Sequence, residues 1–402
     1  MMTSAAGTVL ENAIVVEHDR ASARPLGFAH GRVSTVAAGA FRLDLREHLV
    51  FPGLINAHDH LQLNCIPPLP HAELFANSYA WIDAFEAHRQ SPLVSAAVAV
   101  PSAVRHWHGG LKNLLAGVTT VAHHDPWQAS FEAADFPVGV VRDFGWSHSL
   151  GLGLPRSNKP PKYGPAVFQS FCATPSTHPW MIHLAEGTDD VARAELARLD
   201  ELGCLAANTV LIHGVGMTSP DVQRVIDRDA AVVWCPASNL NMLGCSLDPH
   251  RLAEAHRLTL GTDSRLTGSR DLLDELRVAA GFGAWSSREL MGLVTTDARS
   301  VLRLPGCGGL GVGQQADCLI VRAGSNPYDT LIETRREAIR AVVRGGVPLI
   351  ADPDFGGWFA HCGVPTVRVR LDGRPKLMAV QLAWPEALAL EPGLEIGGGS
   401  DA

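Results

Sequence analysis

From about residue 110 to residue 300, short β-branched or apolar runs alternate with amphipathic helical stretches. This is the pattern of a parallel sheet whose strands are joined by crossover helices. The runs are VTTVAHH (118–124), VGVVRDFGW (138–146), WMIHLAE (180–186), TVLIHG (209–214), AVVWCP (231–236) and LTLGTD (258–263). Between them, Ala192, Leu196, Leu199 and Leu202 keep helical spacing behind Asp189 and Asp190 and stop at Gly203, a suitable C-terminal cap. Pro220, after Ser219, suits the first turn of a helix over Asp221 to Asp229. An earlier apolar run, FPGLINAHDHLQLN (51–64), reads as a buried strand ending in His58 and His60. Alternation along a strand puts residues two apart on one face, so both imidazoles point the same way and form half of a metal site.

The ends differ in texture. Residues 7–50 and about 310–350 carry short strand-like pieces (ENAIVVE, GRVSTVAA, ADCLIVRA, AIRAVVRGG) with little helix between them. They predict one small β domain built from both flanks, residues 1–50 with 305–370, around a central unit at 51–304. Residues 371–402 are expected as a C-terminal extension that is disordered in its tail, EIGGGSDA.

Composition narrows the function. The 402 residues are 46% hydrophobic and 18% charged, which suits a well-buried α/β enzyme. No apolar run reaches the ~18–20 residues needed to cross a bilayer, so no membrane partner is expected. A formal charge of −8 without a Lys/Arg cluster offers no face to a phosphate backbone, which argues against nucleic acid. The N-terminus lacks a basic leader and meets acid by Glu11, so the cytoplasm is the expected location. Eight cysteines show no C-x-x-C pair, which favours scattered thiols over disulfides or a sulfur-held metal.

The chemistry gathers at strand ends. Beyond His58 and His60, the later runs end in His183 with Glu186, in His213 and in Asp263. In a barrel the C-terminal ends of the strands converge on one mouth, where distant residues meet. Three imidazoles and a carboxylate suit zinc or another borderline divalent metal with an open position for water. Such an ion lowers the pKa of bound water to about 7. The remaining need is proton traffic, a base for the water and an acid for a leaving nitrogen, and Asp263 and Glu186 fit those roles.

In that order, FPGLINAHDH, HLAE, LIHG, WCPASNL and LGTDS resemble the amidohydrolase superfamily, in its branch of guanine, cytosine and S-adenosylhomocysteine deaminases and triazine hydrolases. GLGVGQQADCLIV and AIRAVVRGGVPLI are similar to its closing segment, so the resemblance covers roughly residues 8–350. It implies a (β/α)8 TIM-like barrel with a composite β-sandwich from both chain ends. It implies His58 and His60 as first-strand metal ligands, His183 as the fifth-strand ligand, and Asp263 as ligand and proton acceptor. Glu186 matches the acid that protonates a ring nitrogen, and His213 the histidine that orients the hydroxide or serves as a further ligand. One divalent metal is implied, zinc first, with Fe2+ or Mn2+ admitted by the same set. No lysine stands at a matching fourth-strand position, which argues against a carboxylated-lysine bridge and a second ion. The implied reaction is hydrolytic deamination of a nitrogen heterocycle, a carbon-nitrogen bond other than a peptide bond.

Departures from the family pattern matter too. Fewer than forty residues separate Trp146 from His183, with GLGLPRSNKPPKYGP between them, so the barrel is expected to be distorted around its fourth strand. Ser264 and Arg265 follow GTD, which places Arg265 at the mouth as a contact for an anionic substrate. Trp81, His123, His148, Ser238 and Asn239 complete the substrate-side candidates, each weighed against a plain core or capping role. Two alternatives stay open: hydrolysis of a cyclic or acyclic amide by the same site, and a catalytically silent scaffold of this fold. The retained metal and proton-transfer set argues against the scaffold. The expected partner is a small-molecule substrate, with a homodimer as the expected assembly.

Overall fold

The computed structural model describes residues 7–35, 40–69, 73–154, 163–283 and 285–397. At its centre β1 (Leu54–Asp59), β2 (Val118–His123) and β3 (Gly139–Val140) pair in parallel in the order β3-β2-β1. A second parallel sheet follows chain order: β4 (Gly145–Ser149), β5 (Trp180–Leu184), β6 (Thr209–His213), β7 (Ala231–Trp234) and β8 (Leu258–Leu260). Every residue of β1, β2, β5, β6, β7 and β8 is buried, as strands covered on both faces must be.

The two sheets meet where β8 approaches β1. Asp263 N donates to the His58 carbonyl at 3.1 Å. Gly261 permits the approach, because a Cβ there would lie 2.7 Å from the His58 Cβ and 2.8 Å from its N.

At the other seam the run 138–146, expected as one strand, is two. The exposed pair Arg142 and Asp143 turns the chain outward between β3 and β4, and no ladder joins those two strands among the described residues. The register of β4 on β5 slips between Trp146 and Ser149. Such irregularities re-aim side chains and carbonyls beside active sites.

Two antiparallel sheets flank this centre. One has four strands from the N-terminal part, Thr8–Glu11, Leu26–Ala29, Arg32–Ser34 and Phe41–Asp44, with Thr8–Glu11 and Phe41–Asp44 in parallel. The other has nine and draws on both chain ends: Ile14–Val16, Ala21–Ala23 and His48–Pro52 join strands that begin at Cys318–Arg322. This sheet passes residue 370. Arg374–Ala379 pairs with Thr366–Leu371, and Leu394–Ile396 forms its edge, so these parts of the expected extension are strands. Residues 398–402 of the tail, 155–162 of the loop at 151–165 and 36–38 of GRVSTVAA lie outside the described residues.

The helices between strands follow the sequence closely. Asp190–Glu201 is capped by Asp189, whose side chain accepts from Ala192 N at 3.0 Å, and Gly203 takes φ +69 after it. The helix with Pro220 runs Ser219–Asp227, earlier at both ends than the expected 221–229, and Thr218 caps it in a capping box with Asp221. All eight cysteines are free. Among the described residues no helix is long and apolar enough to cross a membrane.

Candidate metal centre and active site

His58 is the penultimate residue of β1, His60 follows the strand, and His183 lies in β5. Their Nε2 atoms converge: His183 Nε2 is 3.3 Å from both His58 Nε2 and His60 Nε2. His183 Nδ1 donates to the His148 carbonyl at 2.7 Å, and His60 Nδ1 donates to Asp125 Oδ2 at 2.7 Å. With both Nδ1 protons so placed, the rings in their neutral, ligating form turn lone pairs to each other, an arrangement that repels unless a cation, either a metal ion or a proton on His60, lies among them. An ion bound by nitrogen at about 2.0–2.1 Å spaces neighbouring ligands about 2.9–3.6 Å apart, whether it takes four donors or five. The donors therefore fit a divalent metal in both chemistry and spacing.

Asp263 supplies the carboxylate. Its Oδ1 lies 3.8 Å from His58 Nε2 and 3.7 Å from His60 Nε2. Its Oδ2 accepts from Ser238 Oγ at 2.7 Å and Thr267 Oγ1 at 2.8 Å, which turns Oδ1 toward the imidazoles. Burial alone would raise its pKa, but His60, His213 and these hydroxyls hold it below the usual carboxylate range. Burial and the neighbouring imidazoles push His58 and His183 well below the ordinary histidine value, into the neutral form that ligates. Burial opposes a charge on His60 as well, but Asp125 outweighs it and carries His60 to about 9.

Glu186 and His213 face each other across the same space, with Oε1 and Nε2 3.4 Å apart. His213 Nδ1 donates to Asn239 Oδ1 at 2.8 Å, leaving Nε2 free for the cavity. Burial raises the Glu186 pKa, His213 opposes the shift and Asp263 adds to it, so this carboxyl holds a proton more readily than a free one. Three turns after strands take left-handed backbone: Ala185 at φ +52, His213 at +74 and Asp263 at +53. Residues other than glycine adopt this region at a cost, and active sites are among the places where such strain gathers.

A cavity of about 560 Å³ opens over these groups, within the usual range for small-molecule sites. Trp81 and His148 line it, as does Ser264. Four sequence candidates do not. His123 is buried against His106 and Phe131. Ser238 and Asn239 hold Asp263 and His213 from behind. Arg265, expected at the mouth, instead donates to Glu391 Oε1 and Oε2 at 3.0 and 3.1 Å. Its charge is paired inside the protein, away from the cavity wall.

No protein-family model matches the chain. In sequence it is similar to the 5-methylthioadenosine/S-adenosylhomocysteine deaminase of Thermococcus sibiricus, 31% identical over 108 residues, which is 25% of this chain and 26% of the relative. To the deaminase of that name from Pyrococcus furiosus it is 25% identical over 282 residues, 59% of this chain and 64% of the relative. The matched stretches span less than two thirds of either relative. In structure it is similar to atrazine chlorohydrolase TrzN from Arthrobacter aurescens TC1 complexed with zinc, with a TM-score of 0.70 at 18% identity over 89% of this chain and 99% of that one. An adenosine deaminase from Xanthomonas campestris with bound zinc gives 0.66 at 18%, over 89% and 97%. The fold is that of the amidohydrolases.

On this amidohydrolase fold several site residues stand out that the sequence reading passed over. Asp125 accepts from His60, from Gln62 Nε2 at 2.6 Å and from the Tyr163 hydroxyl. Its signal was present, since HHD closes a strand run just as the other site segments do. Lys112, fully buried, donates to Asn64 Oδ1 at 3.0 Å and pairs with Asp59 Oδ2 at 3.3 Å, behind the two histidines that flank Asp59. No local pattern marked Lys112, whose partners lie about fifty residues away.

Proposed function

We propose that this chain is a mononuclear metal-dependent hydrolase of carbon-nitrogen bonds other than peptide bonds, acting by hydrolytic deamination of a nitrogen heterocycle. One arrangement carries the reading: three imidazole Nε2 atoms face each other beside Asp263, Glu186 and His213, under a single cavity. The deaminase names of the two relatives support it and point first to aminopurine nucleosides. In this reading His58, His60, His183 and Asp263 hold one divalent cation, zinc before Fe2+ or Mn2+.

When bound, that ion makes water acidic enough to serve as a nucleophile near neutral pH. Asp263 takes a proton from the attacking water. Glu186 places a proton on the ring nitrogen beside the attacked carbon, and His213, oriented by Asn239, steers the water through Nε2. In balance the carbon gains the water oxygen and the C–N bond to the amino group breaks; of the two water protons one stays on the ring nitrogen and the other completes the leaving ammonia, which returns Asp263 and Glu186 to their starting states. We read the eight parallel strands as a closed barrel over residues 51–304, with β3 to β4 as its irregular seam, and the antiparallel sheets as a composite β-sandwich.

Metal-loaded protein, offered aminopurine nucleosides, purines, pyrimidines, triazines, pterins and guanidino compounds, is expected to release ammonia from at least one class. Glu186→Gln should keep its metal and lose at least about 100-fold in turnover. Silence of the metal-loaded wild type across the panel would refute deamination. Release of an amine from cyclic or acyclic amides would then support amide hydrolysis by the same groups.

A further inference from the structure

His124 stands one residue past β2 and is fully buried. A ring nitrogen from each of His58, His60, His124 and His183 lies within 4.8 Å of the others. His124 Nε2 donates to the Ser147 carbonyl at 3.1 Å, so in the neutral ring the lone pair is on Nδ1. That Nδ1 has no hydrogen-bond partner among the described residues, although its surroundings exclude water. An imidazole acceptor held dry and unpaired is unfavourable unless something else occupies the lone pair.

Histidines that ligate metals characteristically donate their second ring N–H to a carbonyl or carboxylate, which fixes the tautomer. His60 does so to Asp125 and His183 to the His148 carbonyl, and His124 does so to the adjacent carbonyl, Ser147. The slipped register of β4 leaves both carbonyls out of its pairing with β5 and gives them to the two imidazoles. Ring positions agree. A ligated imidazole centroid sits about 3.2 Å from its metal, so two ligands of one ion have centroids within about 6.4 Å. His124 lies 4.6, 5.3 and 6.1 Å from His183, His58 and His60, against 4.8, 5.0 and 5.3 Å among those three. Neighbouring His123 contrasts with it: its Nδ1 accepts from Leu61 N at 3.3 Å and it lies outside the four-imidazole group.

We propose that His124, through Nδ1, is a fifth protein ligand of the metal, completing a set of four imidazoles and one carboxylate. This rests on the metal reading of the proposed function. The cavity wall includes His60, His183 and Asp263 but neither His58 nor His124. His124 thus binds from the floor and leaves the cavity side for water and substrate. Of the three rings, that of His60 lies farthest from it. Five protein ligands favour an ion that accepts five or six donors and hold it more firmly than the four read from the sequence.

The test uses the full-length metal-loaded protein. X-ray absorption on the zinc form is expected to require four imidazoles per ion. The cobalt(II) form is expected to give the weak visible absorption of a five- or six-coordinate ion rather than the intense bands of a tetrahedral one. His124→Phe, which keeps the volume and cannot ligate, should weaken zinc at least 10-fold in competition with a chromophoric chelator. Its metal-free melting temperature should match that of the metal-free wild type. Three imidazoles in the wild type, or an unchanged zinc affinity in His124→Phe, overturns the assignment while leaving the proposed function standing. A wild type that takes up no metal overturns both. If His124→Phe fails to fold, the wild-type absorption and cobalt spectra decide alone.

Discussion

Glu391 offers a sharp test of how the chain's last segment supports the site. It lies in the segment expected from sequence as an extension, yet its side chain is fully buried. The carboxylate accepts from His108 Nε2 at 2.8 Å, from Arg265 Nη1 and Nη2 at 3.1 and 3.0 Å, and from Arg336 Nη1. Burial pushes its pKa up, but the His108 hydrogen bond and the two guanidinium groups hold it well below the usual carboxylate range. Glu391→Ala would leave Arg265 without its carboxylate, whereas Arg336 keeps Asp372 at 2.8 Å. Removing one partner from a buried ion pair costs about 3–5 kcal/mol, because the charge left behind is uncompensated.

An unfolding entropy of about 2.1 cal/mol/K per residue, over 402 residues, amounts to roughly 0.8 kcal/mol/K. The loss then lowers the melting temperature by about 4–6 °C. Calorimetry of Glu391→Ala beside wild type, both metal-loaded at neutral pH, measures it. Glu391→Gln, which keeps an acceptor and loses only the charge, should fall between the two. A Glu391→Ala melting point within about 1 °C of wild type would refute the reasoning, since thermal shifts follow ΔΔG.

Further outcomes follow from individual side chains. His183→Ala removes the imidazole shared by both 3.3 Å contacts and should abolish metal retention with the far-UV spectrum unchanged; full metal content in that variant would sink the ligand assignment. Glu195 accepts from Ala185 N at 2.7 Å and from the Tyr79 hydroxyl, and burial pushes it up to about 7. A carboxyl raised in the folded state stabilises fully below its unfolded value, and that stability is lost as pH climbs through about 7. The loss amounts to about 3 kcal/mol at 1.36 kcal/mol per unit. Glu195→Gln should lessen the loss of urea stability between pH 5 and pH 8 by up to about 3 kcal/mol relative to wild type, and an unaltered pH dependence counts against Glu195. Trp81, stacked on Phe85 at 5.5 Å on the cavity wall, should raise KM about tenfold as Trp81→Ala with kcat nearly kept, and an unchanged KM would remove it from substrate contact.

Legibility in the sequence follows sequence distance. His58, His60, His183, His213 and Asp263 could be read because each must stand at or just past a strand's C-terminal end, and the apolar strand runs are marked locally. Even the irregular fourth strand left a trace, in the short interval between Trp146 and His183. The split of 138–146 into β3 and β4 did not, since one exposed Arg-Asp pair inside a β-branched run is too small a break to outweigh the run. The strands at 374–379 and 394–396 were missed for a related reason. Antiparallel strands with mixed exposure carry little periodicity.

Charge was the least legible property. Arg265 looks like a substrate anchor as long as only its neighbours are known, because a cation beside an active-site aspartate is as readily functional as structural. What decides between the two is Glu391, 126 residues away, which no local pattern connects to it. The same holds for Lys112 with Asp59 and for His108 with Glu391. A metal ligand reveals itself by its place on a strand, whereas a buried counter-charge reveals itself only when the fold brings its partner in. Substrate specificity read from an isolated charged residue is therefore the inference most exposed to error in this chain.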